Sequence, residues 1–314
     1  MARHKKPDFD WFNDRLNLIT NSEIFKTLNN GSNYVTTFKV GEWTVIKELF
    51  LAYYAPEYVN ILKSRRTTLN YVDFFSGSGI VKLNEIGLNF PGSPLIVTSL
   101  ISEHFTNYYF VDIEASKVNQ LKVLLKGNNY NFYIGDANDL VSSLVTELRQ
   151  NNSHSLILVD PYAMEFKFDS ILALKDIECD LIITFSAEEI SRAIYQWIQN
   201  PSWNTDRLDD FFGDSEWRKE VNTNDVENSA IDAYFRRILS RAKKAKATIF
   251  NIRKTIRGHH YMIALVSTGG SRIGPSFHRI AIYFSSRIES ISGDFVKKIL
   301  DTYVTHRGKP IDAY

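Results

Sequence analysis

Short apolar runs alternate with helical segments between residues 70 and 184, and this alternation constrains the fold more than any other feature of the sequence. The runs read YVDFF, YYFVD, NFYIGD, SLILVD and CDLIITF, and stretches with helical spacing of apolar residues separate them. Strands that alternate with helices need crossover connections, so the pattern predicts a parallel, doubly wound α/β sheet. Ligands of such sheets bind beyond the carboxyl ends of the strands.

An aspartate ends or directly follows each of the first four of these strands, at positions 73, 112, 136 and 160. One aspartate at a strand end is common because Asp favours turns, whereas four at one sheet edge indicate a ligand site. Each aspartate has a role if the ligand is a nucleoside with a charged amino-acid tail. Asp73 would begin the first loop, and Asp112 would accept hydrogen bonds from both ribose hydroxyls. Asp136 would accept the adenine amine, and Asp160 would face the reacting group.

The loop SGSG after the first strand separates two cofactor classes. Gly77 and Gly79 permit positive φ and let backbone N–H groups approach a ligand closely. A nicotinamide dinucleotide would need a helix directly behind the glycines and an acid about 20 residues further on. The next helix instead starts near Ser93, which would cap it, and Pro94, which would take its first position. Asp112 also lies well beyond the required spacing, so the sequence favours the nucleoside with a tail.

Two motifs resemble those of class I S-adenosylmethionine-dependent methyltransferases. YVDFFSGSG resembles the first motif of that class, and VDPY resembles the fourth, as a shortened form of the D-P-P-Y signature of enzymes that methylate nucleobase amines. More narrowly, the order EWTVIKELFLAYY, YVDFFSGSG, GSPLIVTSLI, YYFVDIE, LILVDPY, CDLIITFSAEEISR and RLDDFFGDSEWRK, over residues 42 to 268, resembles the three-Cys-motif partner proteins. The chain departs from that family in two places: SGSG replaces A-G-P-G or A-G-S-G, and Ala163 follows DPY where glycine is usual.

This resemblance implies a fold of the class I methyltransferase type with S-adenosyl-L-methionine as its cofactor. The narrower resemblance also implies a three-Cys-motif protein as a partner but establishes no substrate. A nucleic acid is the substrate that the VDPY motif favours. The residues that would bind the cofactor are Asp73, Phe74, Ser76, Gly77, Gly79, Asp112, Ile113, Asp136 and Ala137.

The segment Asp160-Pro161-Tyr162 would serve the methyl acceptor. Asp160 would accept one N–H of an acceptor amine, the Pro161 carbonyl would accept the other, and Tyr162 would stack on the base, which a duplex would first have to flip out. A strand end followed by a turn explains the same three residues without catalysis. The alternative function is a non-catalytic module that binds the cofactor or holds a partner, and such a module has no need of a carboxylate facing the methyl group.

A basic stretch near residue 240 is the candidate nucleic-acid surface. The net charge is +1 over 314 residues, so an electrostatic argument for nucleic acid has to be local. Nine Lys or Arg and no acid lie between residues 236 and 257. Arg237, Arg241 and Lys244 would share one face of a predicted helix and could contact phosphates. A solvated helix face is the alternative.

Cysteine, histidine and long apolar runs show which further kinds of site the sequence lacks. Cys179 stands alone, which excludes an internal disulfide, and its apolar run predicts a core position. His259 and His260 have no further ligand at metal spacing, so no metal is expected. The absence of a signal-peptide pattern and of a long apolar run predicts a cytoplasmic protein without a membrane segment.

Changes in pattern divide the chain into four segments. Residues 1–42 form a polar N-terminal extension, and residues 43–185 form the methyltransferase core, led by a helix pair that Pro56 kinks or separates. Residues 186–245 form a helical insertion, in which tryptophans and phenylalanines would pack as core: Trp197, Trp203, Phe211, Phe212 and Trp217. Residues 246–314 supply a strand hairpin that turns at Arg257-Gly258, followed by two closing helices.

Overall fold

The computed structural model describes residues 9–31, 34, 38–101, 103–149, 152–242, 244–255, 258–268 and 274–305. The strands are β1 (Phe38–Val40), β2 (Thr68–Asp73), β3 (Ile80–Leu83), β4 (Asn89–Pro91), β5 (Asn107–Asp112), β6 (Tyr130–Ile134), β7 (Ser153–Val159), β8 (Cys179–Ser186), β9 (Lys244–Thr255) and β10 (Gly258–Thr268).

The helices lie mainly between these strands. They are α1 (Phe9–Thr20), α2 (Glu23–Asn29), α3 (Thr44–Leu62), α4 (Ser93–Ser99), α5 (Ala115–Leu124), α6 (Ala137–Leu148), α7 (Phe168–Ala173), α8 (Ala187–Gln199), α9 (Asp206–Phe212), α10 (Trp217–Glu220), α11 (Val226–Arg241), α12 (Gly274–Ile288) and α13 (Gly293–Thr305). A 3-10 turn, Leu174–Asp176, follows α7.

Seven strands form the central sheet in the order β6-β5-β2-β7-β8-β10-β9. The strands from β6 to β8 are parallel to their neighbours, and β10 is antiparallel to both β8 and β9. The predicted fold class is confirmed: this is a doubly wound α/β sheet with N-terminal helices and a helical insertion before the last two strands. The chain adds β5 and β6 on one side of β2 and then returns to add β7 on the other side. The strand order therefore reverses between β2 and β7. Ligand sites of doubly wound sheets lie at this reversal.

Both faces of the sheet carry a core, because successive strand residues point to opposite faces. In β5, Tyr108 and Phe110 belong to the core that contains side chains of the N- and C-terminal helices, while Tyr109 and Val111 belong to the core that contains side chains of α6 and the insertion. Cys179 is fully buried, as predicted. The aromatic residues of the insertion also lie in the core as predicted, with Phe211, Phe212 and Trp217 buried and Trp197 and Trp203 packed against them.

Helix α3 corrects the predicted helix pair, because it runs unbroken through Pro56. Proline in a helix interior removes one backbone hydrogen bond and costs about 3 kcal/mol. Burial outweighs that cost here, since most side chains of α3 lie inside the protein, among them Tyr54 and Tyr58 on either side of the proline.

Residues before position 42 form more than a polar extension. Phe12 and Leu16 of α1 and Phe25 of α2 are fully buried in the main core. Strand β1 pairs with β3, which pairs with β4, so a second, three-stranded sheet stands beside the glycine loop. The loop pattern after SGSG gave no sign of these short strands, because three or four residues carry too little periodicity.

The C-terminal part follows the prediction. Strands β9 and β10 form the expected hairpin, and α12 and α13 close the chain. Arg257 of the predicted turn lies outside the described residues, and Gly258 begins β10. Of the helices that the structure describes, none has the length and apolar character that a membrane span requires.

Candidate functional site

A cavity of about 760 Å³ opens at the carboxyl ends of β2, β5, β6 and β7. This volume lies within the range of small-molecule and cofactor pockets. Most of the predicted cofactor and acceptor residues line it: Phe74, Ser76, Gly77, Gly79, Asp112, Ile113, Asp136, Ala137, Asp160, Pro161 and Tyr162. The sheet edge thus brings together side chains that lie far apart in the sequence.

The glycine loop is held open by hydrogen bonds to β5. The backbone N–H of Ser76 donates to the Val111 carbonyl at 2.9 Å, and that of Gly77 donates to Asp112 Oδ2 at 3.0 Å. Gly77 and Gly79 have φ of 59° and 78°, the left-handed region in which a Cβ is strained. A Cβ on Gly79 would also lie 2.7 Å from Leu121 Cδ1, so both glycines are required by the backbone path.

Asp112 occupies the wall of the cavity with its carboxylate already oriented. Its Oδ1 accepts the Glu114 N–H at 2.8 Å, and its Oδ2 accepts the Gly77 N–H. A carboxylate has about four acceptor sites, so two remain for ligand hydroxyls. The neighbouring Ile113 side chain is 66% exposed and offers an apolar surface at the same wall.

Asp73 lies beneath the cavity and does not line it. The side chain is completely buried; Oδ2 accepts the Ser93 hydroxyl at 2.6 Å, and Oδ1 accepts the Phe75 N–H at 3.1 Å. Burial raises the pKa of Asp73 to about 7, although the Ser93 hydrogen bond opposes the rise. Asp73 therefore ties the glycine loop to the start of α4. Ser93 was predicted to cap that helix, but Gly92 is the N-cap because the Ser93 hydroxyl is engaged by Asp73.

Asp136 caps helix α6 at the edge of the cavity. Its Oδ1 accepts the Asn138 backbone N–H at 2.7 Å and the Asn138 side-chain amide at 2.8 Å. The same amide donates to the Glu165 carbonyl at 2.8 Å, which joins the ends of β6 and β7 across the cavity. Asn138 was not identified from the sequence, since a polar residue in a first helical turn carries no signal of its own.

Asp160 is engaged by two side chains from distant parts of the chain. The Lys47 ammonium of α3 and the Thr184 hydroxyl of β8 both donate to its carboxylate. Burial acts most strongly, to lower the pKa of Lys47, but the charges of Asp160, Glu48 and Asp73 and the hydrogen bond to Asp160 together outweigh it, and the pKa is raised. The Asp160 carboxylate therefore has a fixed orientation at the cavity floor.

Glu48 follows Lys47 on α3 and also lines the cavity, with only 3% of the residue exposed. Burial raises the pKa of Glu48 to about 8, and the neighbouring Lys47 opposes the rise. Neither residue was predicted from the sequence. Two adjacent charges in the otherwise apolar first half of α3 were the available signal, because burying a charge is costly unless it has a partner.

Aromatic rings line the mouth of the cavity beside Asp160. The Tyr162 side chain is 68% exposed, and its carbonyl accepts the Tyr261 hydroxyl at 3.2 Å. Trp43 stacks on Tyr261, with ring centroids 4.2 Å apart, and the Lys254 ammonium lies 5.1 Å from the Tyr261 centroid. Flat rings with a nearby cation are suited to stacking on a nucleobase.

The structure corrects the prediction that Arg237, Arg241 and Lys244 share one face of a helix. Helix α11 ends at Arg241 and Lys244 begins β9, so the three residues do not share a helix face. The Arg237 side chain is only 4% exposed; it contacts Glu220 at 2.5 Å and Asp214 at 2.7 Å. Arg241 contacts the other Asp214 oxygen at 2.8 Å. Acids from the insertion therefore neutralise this face from outside its own sequence segment.

Acidic side chains outnumber basic ones around the cavity. Seven carboxyl groups and four lysines line it: Glu48, Asp112, Glu114, Asp136, Asp160, Glu165 and Glu189, with Lys39, Lys47, Lys117 and Lys254. Within the described ranges, no group of three or more His, Cys, Asp or Glu side chains is placed to hold a metal ion. Strand β10 carries His259 and His260, whose side chains lie outside the description.

No family model and no curated protein matches the sequence. Solved structures resemble the fold at low identity. A DUF519-family protein from Legionella pneumophila is 13% identical, with a TM-score of 0.47, over 81% of this chain and 95% of its own. Trm1 from Pyrococcus horikoshii, in complex with S-adenosyl-L-methionine, is 15% identical, with a TM-score of 0.43, over 76% of this chain and 58% of its own. An O-methyltransferase from Bacillus cereus, in complex with SAH, is 12% identical, with a TM-score of 0.42, over 85% and 94%. These likenesses concern the fold, so the function has to be inferred from this chain's own residues.

Proposed function

We propose that the protein is an S-adenosyl-L-methionine-dependent methyltransferase that methylates an amino group of a nucleobase in a nucleic acid. One observation carries the proposal: a cavity connects the glycine loop and Asp112 with Asp160-Pro161-Tyr162. A nucleoside held at Asp112 can therefore extend towards the carboxylate that would receive the acceptor. The aromatic mouth at Tyr162 and Tyr261 supports a flat, stacked acceptor such as a nucleobase.

The charge of the cavity favours this cofactor over a nicotinamide dinucleotide. A pyrophosphate brings two negative charges, which the excess of carboxyl groups would repel. The strand β3, rather than a helix N-terminus, follows the glycines, so the usual anion site is missing behind this loop. A cofactor with a sulfonium and an ammonium group matches the acidic walls.

The side chains around Asp160 suit methyl transfer to nitrogen. The cofactor supplies a methyl group on a positively charged sulfur, which is already activated for displacement. Asp160, held by Lys47 and Thr184, can accept an N–H of the acceptor amine and so aim the nitrogen lone pair at the methyl carbon. The Asp160 carboxylate would then take up the proton that the methylated nitrogen loses, or would pass it to water.

The partner and the cytoplasmic location stay proposals that rest on the sequence. The order of the motifs supports a three-Cys-motif protein as the partner. The second candidate, a non-catalytic module that binds the cofactor, is favoured by the ion pair of Asp160 with Lys47, since a carboxylate already paired in this way also stabilises the fold. Transfer of labelled methyl groups to DNA or RNA separates the two candidates.

Calorimetric titration with S-adenosylmethionine and S-adenosylhomocysteine tests the cofactor. We expect both to bind, and Asp112→Ala to weaken binding by about 10- to 100-fold, because charged hydrogen bonds to the ribose are lost. Asp139→Ala is the matched control, since Asp139 is exposed on α6 and outside the cavity. Equal affinities for the wild type and Asp112→Ala, or no binding at all, would contradict the proposal.

A further inference from the structure

Glu48 is a buried carboxyl group at the cavity wall that the proposed chemistry does not use. It lies in the middle of α3 and is 3% exposed. Its carboxyl group makes no hydrogen bond or ion pair with any residue that the structure describes. The neighbouring Lys47 ammonium is directed to Asp160 instead. Buried carboxyl groups without a partner are costly, so this position calls for a ligand.

The charges around Glu48 indicate the kind of ligand. Asp73 from β2 lies below it and is bonded to Ser93 of α4, and Asp160 beyond β7 is bonded to Lys47. Three carboxyl groups thus share one ammonium group at this end of the cavity. Burial raises the pKa of Asp73 to about 7 and that of Glu48 to about 8, which shows that full ionisation of the cluster is unfavourable. A second ammonium group would restore the balance.

We propose that Glu48 binds the ammonium group of the cofactor's amino-acid tail. This inference rests on the proposed function and deepens it, because it assigns the end of the cofactor opposite to the ribose at Asp112. Glu48 and the glycine loop line the same cavity, so a nucleoside at Asp112 places its tail along the loop towards α3.

Binding should then change the protonation of Glu48. At neutral pH the group is largely protonated in the free protein, since its pKa is about 8. An ammonium group beside it favours the carboxylate, so the Glu48 proton passes to the buffer while the ligand keeps its own proton. The wild type should release up to about one proton for each cofactor bound.

Two nucleoside ligands isolate this contact. S-adenosylhomocysteine carries the amino-acid tail, and 5′-methylthioadenosine lacks it. Measured by calorimetry, Glu48→Gln should lower the affinity for S-adenosylhomocysteine by about 10- to 100-fold and leave the affinity for 5′-methylthioadenosine unchanged. The matched control is Glu57→Gln, which makes the same change at an exposed position of α3 outside the cavity and should alter the affinity for neither ligand. Titrations in two buffers of different ionisation enthalpy should show more proton release by the wild type than by Glu48→Gln, in which only Asp73 of the cluster still titrates near neutral pH.

The outcomes separate this inference from the proposed function. If the wild type binds neither ligand, the cofactor assignment is wrong and the inference fails with it. A second outcome is that the wild type binds S-adenosylhomocysteine while Glu48→Gln has the same affinity for it, or has lost the same factor in affinity for both ligands. In either case Glu48 does not hold the tail and the cofactor assignment stands. Equal proton release by the wild type and Glu48→Gln, together with equal affinities, also overturns the inference. Binding of 5′-methylthioadenosine by Glu48→Gln shows that the variant is folded.

Discussion

At the scale of single residues, Asp160 is where binding and methyl transfer should separate. Asp160→Asn is a sharper change than Asp160→Ala, because its amide can still accept from Lys47 and donate to Thr184. We expect unchanged affinity for S-adenosylhomocysteine and methyl transfer slower by about 100-fold or more, since the carboxylate that accepts the amine proton is gone. Calorimetry and single-turnover transfer measure the two effects. A loss confined to cofactor binding would place Asp160 on the wrong side of the reaction.

Arg237 illustrates how a predicted surface residue became part of the core. Burial would raise the pKa of Asp214, but hydrogen bonds from Arg241 and Arg237 lower it to about 2. Arg237 also donates to the Phe212 carbonyl at 2.8 Å, so its guanidinium connects α9, α10 and α11.

Urea unfolding should distinguish the two arginines. We expect Arg237→Ala to lower the free energy of unfolding by about 3 kcal/mol, because it leaves acids without their buried partner. Arg241→Ala should cost less than about 1 kcal/mol, since Arg241 is 42% exposed. Equal losses in the free energy of unfolding would show that Arg237 stabilises the fold no more than Arg241 does.

At the scale of elements, the loop between β2 and β3 decides where the cavity opens. Its two glycines differ in their surroundings, although both have positive φ. A Cβ on Gly77 meets no atom within 4 Å, whereas a Cβ on Gly79 lies 2.7 Å from Leu121 Cδ1 and 3.3 Å from Leu95 Cγ.

Gly77→Ala and Gly79→Ala should therefore lower stability by different amounts. Backbone strain costs Gly77→Ala about 1–2 kcal/mol. Gly79→Ala adds overlap with two core side chains of α4 and α5, for which overpacking costs about 1–3 kcal/mol more. Thermal unfolding of the two variants measures the difference, and equal losses of stability would contradict the close packing of Gly79 against α5.

At the scale of the whole molecule, the carboxyl cluster should make stability depend on pH. The pKa values of Asp73 and Glu48, about 7 and about 8, lie above the ordinary values of 3.8 and 4.5. Between these values the folded protein holds protons that the unfolded chain has lost. Stability from these groups is therefore complete at low pH and falls as pH rises, by at most about 1.4 kcal/mol per pH unit and group.

Urea unfolding of the free protein at several pH values tests this dependence. Burial lowers the pKa of His278 to about 4, so that residue acts in the opposite sense below pH 6.5. The range from pH 6.5 to about 8 therefore lies above the titration of His278 and covers that of the two carboxyl groups. We expect the wild type to lose stability across this range and Glu48→Gln to lose less. Parallel curves for the two proteins would show that Glu48 does not titrate with folding.

Local sequence patterns were sufficient to predict the features that depend on residues close together in the chain. Alternating strands and helices follow from local periodicity, and the aspartates at 73, 112, 136 and 160 follow from where each strand stops. The glycine loop, the buried Cys179 and the aromatic core of the insertion also follow from local composition and turn chemistry. These features were sufficient to predict the sheet and eleven of the residues around the cavity.

The ion pairs and hydrogen bonds at the cavity depend on how elements far apart in the sequence pack together. Lys47 reaches Asp160 across 113 positions, and Tyr261 reaches Tyr162 across 99, distances over which no sequence period operates. The same reason explains the error at Arg237, whose basic segment contains no acid while its partners Asp214 and Glu220 come from the preceding elements. Packing of α3 against α4, α12 and α13 placed Glu48 at the cavity wall, because a helix that is buried over most of its surface takes its orientation from its neighbours and not from its own pattern.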